Sequence, residues 1–79
     1  YRPILICMNG TRRGVRFKLS KRSTVVGRSR EVDCVINDHG TSRQHIRIVY
    51  DNFDRPAEPP RCFVEDLGSR NGTHVNARP

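Results

Sequence analysis

No uninterrupted apolar stretch in this chain is longer than five residues, Ile4 to Met8. That limit decides most of what the chain can fold into. A membrane-spanning helix needs about 20 apolar residues, and a secretory leader also needs a longer apolar segment, so neither is present in this sequence. What recurs instead, every eight to twelve positions, is a short run of β-branched and aromatic residues bounded by turn signals. This is the pattern of an all-β fold built from short strands, a β-sandwich or barrel.

The individual runs can be read from their periodicity. Ile4 to Met8 is continuous and suits a strand covered on both faces. Asn9-Gly10 and Gly14 then turn the chain into Val15-Arg16-Phe17-Lys18-Leu19, whose alternation sends Val15, Phe17 and Leu19 inward and Arg16 and Lys18 outward. Ser23 to Val26 reads as a third strand ending at Gly27-Arg28, and Cys34 to Ile36 as a short fourth. In His45 to Tyr50, residues Ile46, Ile48 and Tyr50 share one face and Arg47 the other. The stretch from Asp51 to Arg61 carries Pro56, Pro59 and Pro60 without periodicity and reads as a surface excursion. Cys62 to Glu65 is a strand with no assignable inward face, and a last short strand is expected around Val75. No helix of useful length fits.

Composition narrows the function. At 79 residues the chain is read as a single domain, residues 1–79, whose marginal core leaves no room for an elaborate enzyme interior. Its net charge is +7, and 13 of its 15 basic residues are Arg. Guanidinium is a planar fork that grips phosphate or carboxylate at two points, so an Arg-biased surface suggests phosphate recognition, on nucleic acid or on protein. Cys7, Cys34 and Cys62 are odd in number and lack paired spacing. They read as buried thiols in a reducing compartment, cytoplasmic or nuclear, with a bacterial cytoplasm the working expectation. Asn9-Gly10-Thr11 and Asn71-Gly72-Thr73 fit glycosylation sequons, but in such a compartment each is simply a turn.

Three clusters lie just outside strands: Gly27-Arg28-Ser29, Ser42-Arg43-Gln44-His45, and Asp66-Leu67-Gly68-Ser69-Arg70-Asn71-Gly72-Thr73-His74-Val75-Asn76. Loops held by a rigid sheet are the usual place for a small β domain to build a site. Each cluster alone is weak. Together with Asp33-Cys34-Val35-Ile36, in this order and spacing, they resemble the forkhead-associated (FHA) domain family, and the resemblance covers roughly Ile4 to Asn76.

The resemblance implies a twisted antiparallel β-sandwich whose end loops bind phosphothreonine in partner proteins, as a signalling module without enzymatic activity, cofactor, metal or membrane contact. It implies that Arg28 contacts the phosphate, Ser42 donates its hydroxyl to a phosphate oxygen, and Arg43 adds charge. Arg70 stands where the family often has Thr or Ser touching the ligand, and Asn71 would hydrogen-bond the peptide backbone. His45 would buttress the loop, Gly72 would permit the tight turn, and Gly27 would let the chain bend so that Arg28 faces the site. A slot for the threonine methyl is expected between the two loops. Residues after the phosphothreonine would be read near His39, Gly40 and Arg70.

Two features depart from the family pattern. Thr41 replaces the usual aliphatic residue before the serine, which predicts looser packing of that loop. The sequence also stops at Pro79, whereas the family continues into strands that pair with the first one. The expectation is that these strands lie outside this sequence, or that strand exchange with a second copy completes the sheet as a dimer.

Other readings are weighed on the same residues. Ser42 and His45 could be a nucleophile and base with Asp38 or Asp66, but no nucleophile elbow or oxyanion-hole glycines accompany them. His39, His45, His74 and Cys62 lack metal-ligand spacing, and no Gly-Lys-Ser/Thr of a nucleotide P-loop is present. A basic nucleic-acid-binding module is the main rival, disfavoured because aromatic residues are few and none clusters with the arginines. A scaffold or self-association domain independent of phosphate is the third. Arg12, Arg13, Arg16 and Lys18 read as a solvated basic hairpin.

Overall fold

The computed structural model describes residues 3–8 and 13–75. Within them six strands form: β1 (Ile4–Ile6), β2 (Arg16–Lys18), β3 (Ser23–Gly27), β4 (Cys34–Val35), β5 (Ile46–Tyr50) and β6 (Cys62–Asp66). They make a two-stranded sheet, β1-β2, and a four-stranded sheet ordered β4-β3-β5-β6. No helix occurs among the described residues. The expected turn at Asn9-Gly10, with Thr11 and Arg12, and the residues from Asn76 onward lie outside the described residues. The expected last strand reduces to a single bridge residue, Val75.

The core is built from the positions that alternation selects. Leu19, Val26, Cys34, Ile48 and Tyr50 are buried, and Leu5, Phe17, Ile36, Ile46 and Phe53 pack against them. Because Leu5 and Phe17 come from the small sheet and the rest mostly from the large one, the two sheets face each other as a sandwich. Directly opposed residues share a face, and Thr24↔Ile48 and Val26↔Ile46 put the apolar side of β3 and β5 on that core.

Three expectations need correction. Ile4 to Met8 is covered on one face only: Leu5 is half-buried while Ile4 and Ile6 are 49% and 44% exposed. Val15 is 40% exposed, because it sits beside the Gly14 turn (φ 88°) at the turn end of a two-stranded hairpin. The thiols are not uniformly buried: Cys34 is, Cys7 is half-buried, and Cys62 is exposed. The last follows from β6 being an edge strand, exposed at all five positions. Its register with β5 (Ile48↔Val64, Tyr50↔Cys62) sets Cys62, Val64 and Asp66 on the core side and Phe63 and Glu65 on the other. An edge strand exposed on both faces carries no alternation from which an inward face can be read.

One pairing also differs from a purely antiparallel sandwich. β3 and β4 run parallel, Val26 opposite Cys34 and Gly27 opposite Val35. Parallel neighbours ordinarily need a long crossover, and here residues 28–33 suffice because the pairing is only two residues long. Asp33 closes the loop: its carboxylate accepts the Val25 N–H at 2.8 Å and pairs with Lys21. The Lys21 hydrogen bond, then that of Val25, holds the Asp33 carboxyl below its ordinary range.

The proline-rich excursion has an anchor that its sequence hid. Asn52 is only 3% exposed; its Nδ2 donates to Pro59 O at 3.0 Å, and its Oδ1 accepts the Arg61 N–H at 2.8 Å. Asn52→Ala removes both part-buried bonds from the excursion, so it should cost about 1–3 kcal/mol. Urea denaturation measures this; a loss under about 0.5 kcal/mol, the scale of an ordinary surface change, would show that the prolines hold the excursion unaided.

Candidate functional site

The three loops beyond the strands are tied together at one end of the large sheet. Beyond β3, the Arg28 N–H donates to Ser42 O at 3.0 Å and the Ser29 N–H to Arg43 O at 3.1 Å. The residues after Gly27 therefore lie alongside Ser42 and Arg43. Gly27 itself is buried in β3 and has no left-handed backbone, so it does not serve as the expected bend. Its role is close approach: a Cβ there would lie 2.0 Å from Arg43 O and 2.7 Å from that carbonyl carbon.

His45 joins the second loop to the third. Its Nδ1 accepts the Ser42 backbone N–H at 3.0 Å, which requires a bare nitrogen there. The proton therefore sits on Nε2, which donates to Gly72 O at 2.8 Å. Gly72 takes the left-handed backbone (φ 78°) that presents this carbonyl, which only glycine adopts without strain. With both ring nitrogens spent on backbone groups, His45 does not reach the Ser42 hydroxyl as a base. Among the described residues no three His, Cys, Asp or Glu side chains group to hold a metal ion.

Ser42 Oγ accepts the Arg70 N–H at 2.9 Å. This fixes the hydroxyl oxygen and leaves its proton free to be donated outward. Arg70 also reaches across with its side chain, Nη2 to His39 O at 2.9 Å, and Asn71 Nδ2 donates to Gly40 O at 2.8 Å. Between the loops lies a cavity of ≈ 200 Å³ lined by Val26, Ile36, Thr41, His45, Ile46 and Thr73. Thr41, which stands where an aliphatic side chain is usual, forms part of its wall.

Asp66, at the end of β6, is the organiser that the motif did not disclose. Its carboxylate accepts the N–H groups of Gly68 and Ser69, each at 3.0 Å, and the hydroxyls of Ser69 and Thr73, at 2.5 and 2.6 Å. The Ser69 hydroxyl, then that of Thr73, pulls its pKa from 3.8 down to about 2. An aspartate two residues before a glycine is an Asx-turn signal, and that could have found it. The folded pKa is depressed, so the stabilisation is fully present above about pH 4 and is lost as pH falls through 2. The amide resonances of Gly68 and Ser69 should move with a midpoint near pH 2; a midpoint near 4 would mean that the carboxylate does not hold the loop.

The charges are sorted in space. Lys21 pairs with Asp33, Arg22 and Arg61 with Asp51, Arg47 with Glu65, and Arg55 with Glu58. Such exposed pairs stabilise little, but they engage four of the eight acids, Asp33, Asp51, Glu58 and Glu65. Among the described residues Arg28, Arg30, Arg43 and Arg70 on the three loops enter no ion pair. The same holds for Arg13, Arg16 and Lys18 on the hairpin.

A small all-β domain whose end loops gather exposed guanidiniums, an oriented hydroxyl and a carboxamide is a binding module of the loop-on-sandwich kind. The chain belongs to the FHA domain family, whose pattern it matches over residues 24–79. It is 36% identical over 78 residues, 96% of its length, to the oxoglutarate dehydrogenase inhibitor of Corynebacterium efficiens, covering 49% of that protein. It is 33% identical over 76 residues to the glycogen accumulation regulator GarA of Mycobacterium tuberculosis, covering 43% of it. The chain thus spans less than half the length of these curated relatives. A solved chain from a structural and functional analysis of phosphothreonine-dependent FHA domain interactions superposes with a TM-score of 0.71 at 32% identity, covering 84% of this chain and 62% of that one.

Proposed function

We propose that this domain binds phosphothreonine-containing segments of partner proteins, as a reversible signalling contact. The observation that carries the reading is the junction at Ser42. Its carbonyl receives Arg28, its N–H is held by His45, and its Oγ receives Arg70. Arg28, Ser42, Arg43, Arg70 and Asn71 are the proposed site residues, with Gly27, His45 and Gly72 supporting them.

In this reading the Arg28 guanidinium pairs with the dianion, the Ser42 hydroxyl donates to a phosphate oxygen, and Arg43 adds positive field. Asn71 has a second amide N–H and its Oδ1 left for the peptide backbone. Charge-assisted bonds contribute about 1.5–3 kcal/mol each. Two or three of them, less the cost of ordering a peptide, leave a Kd of roughly 1–100 µM. The hollow walled by Thr41 and Thr73 supports a methyl slot. Burying one methyl is worth about 0.8 kcal/mol, and a tight slot roughly 1–3 kcal/mol.

The test is binding to an oriented phosphothreonine peptide library, with phosphoserine and dephosphorylated controls. The reading expects selection that vanishes on dephosphorylation and weakens with phosphoserine. Equal capture of dephosphorylated peptides would contradict it. A basic nucleic-acid binder would instead show affinity for a DNA or RNA duplex that falls steeply with salt and is spread over many arginines.

A further inference from the structure

The segment Asn37 to Gly40 is exposed throughout, and its internal bonds are all local. Asp38 N donates to Ile36 O, Gly40 N to Asp38 Oδ1, and Thr41 N to Asp38 O. Such turn bonds shape a loop but do not fix where it sits. Among the described residues, the hydrogen bonds joining His39 and Gly40 to the rest of the protein come from two consecutive side chains, Arg70 onto His39 O and Asn71 onto Gly40 O.

We propose that Arg70 is a positioning residue, whose guanidinium latches this loop through the His39 carbonyl before any ligand arrives and acts on binding through the loop rather than as one more cation on the phosphate. This deepens the phosphothreonine reading and, for its binding arm only, rests on it. The chemistry of the pair makes the division of labour. Asn71 divides its carboxamide: one N–H holds Gly40 O, and the second N–H and Oδ1 are left for the peptide backbone in the proposed complex. Arg70 can keep Nη2 on the carbonyl while its own N–H holds Ser42 Oγ. One residue thereby sets both the serine hydroxyl and the loop beside it. A guanidinium has the length and the planar donors for this span; the Thr or Ser often found there in the family has neither.

The decisive variant is Arg70→Met, similar in bulk but without donor or charge. In the ligand-free domain, backbone order parameters at residues 38–41 should fall from rigid values near about 0.85 to below about 0.6, with β3 unchanged. Affinity for a phosphothreonine peptide should weaken about 3- to 10-fold, the effect of one hydrogen bond, with the salt dependence of binding unaltered. Unchanged order parameters at 38–41 overturn the proposal. So does a shallower salt slope without loss of order, which would put the cation on the phosphate. Should Arg70→Met fail to fold, Arg70→Gln, polar but too short to span the gap, is read by the same two criteria. The ligand-free arm decides the latch even if no phosphopeptide binds, so failure of the latch and failure of the functional reading remain distinguishable.

Discussion

Arg28→Ala is expected to weaken phosphothreonine-peptide binding by about 2–4 kcal/mol, roughly 30- to 1000-fold, while leaving the melting temperature almost unchanged. The binding loss follows from stranding a dianion without its principal charge partner. Stability should hold because Arg28 is exposed, enters no ion pair among the described residues, and positions itself through its backbone N–H on Ser42 O, which alanine retains. Arg28→Lys should recover only part of the affinity, since an ammonium restores charge without the two-point fork. Isothermal titration of wild type and both variants checks this. A loss smaller than about 3-fold for the alanine variant, under the effect of one ordinary hydrogen bond, would move the phosphate elsewhere.

Gly27→Ala should act in the opposite way, through the fold. The added methyl meets Arg43 O at 2.0 Å, Arg43 C at 2.7 Å and Gln44 Cα at 3.0 Å. All are backbone atoms, so no flexible side chain can swing aside. The strand end and the Ser42–Gln44 segment must part, which breaks the Arg28–Ser42 and Ser29–Arg43 bonds. Overpacking of this kind costs about 3 kcal/mol, which in a domain of this size lowers Tm by roughly 10–20 °C. The folded fraction should also bind phosphopeptide at least about tenfold more weakly, as loss of the aligned pocket forfeits more than one hydrogen bond. A thermal melt within about 2 °C of wild type would mean that the close approach is easily relieved.

What could be read from the sequence follows what is periodic. The β5 strand announces its faces because Ile46, Ile48 and Tyr50 alternate with Arg47 and Val49, and the structure buries that face. The run Val15 to Leu19 is read correctly at Phe17 and Leu19 but not at Val15, because periodicity states which way a side chain points and not whether anything covers it. The same gap explains Ile4 and Ile6. The β6 strand gives no face because it pairs on one side with β5 and its described residues are all exposed.

The site divides in the same way. Its residue types, and the order of its three loops, are legible because Gly27-Arg28, Ser42 to His45 and Ser69 to Thr73 are contiguous. The bonds between loops are not: His45 to Gly72 spans 27 positions, and Arg70 to His39 spans 31. No local rule connects residues so far apart. The structural roles of Asn52 and Asp66 are hidden in the sequence for a related reason. A single polar residue in a polar stretch looks solvated until its partners, Pro59 and Arg61 for one, Ser69 and Thr73 for the other, are placed around it.

The central claim is that Arg28, Ser42 and Asn71 serve one phosphate-bearing ligand from three different loops. It is tested most directly by titrating the ¹⁵N-labelled domain with a phosphothreonine peptide and following every backbone amide. The account predicts saturable shifts confined to residues 27–29, 38–45 and 68–73, absent with the dephosphorylated peptide. Shifts that centre on Arg13, Arg16 and Lys18, or that persist without the phosphate, would contradict it.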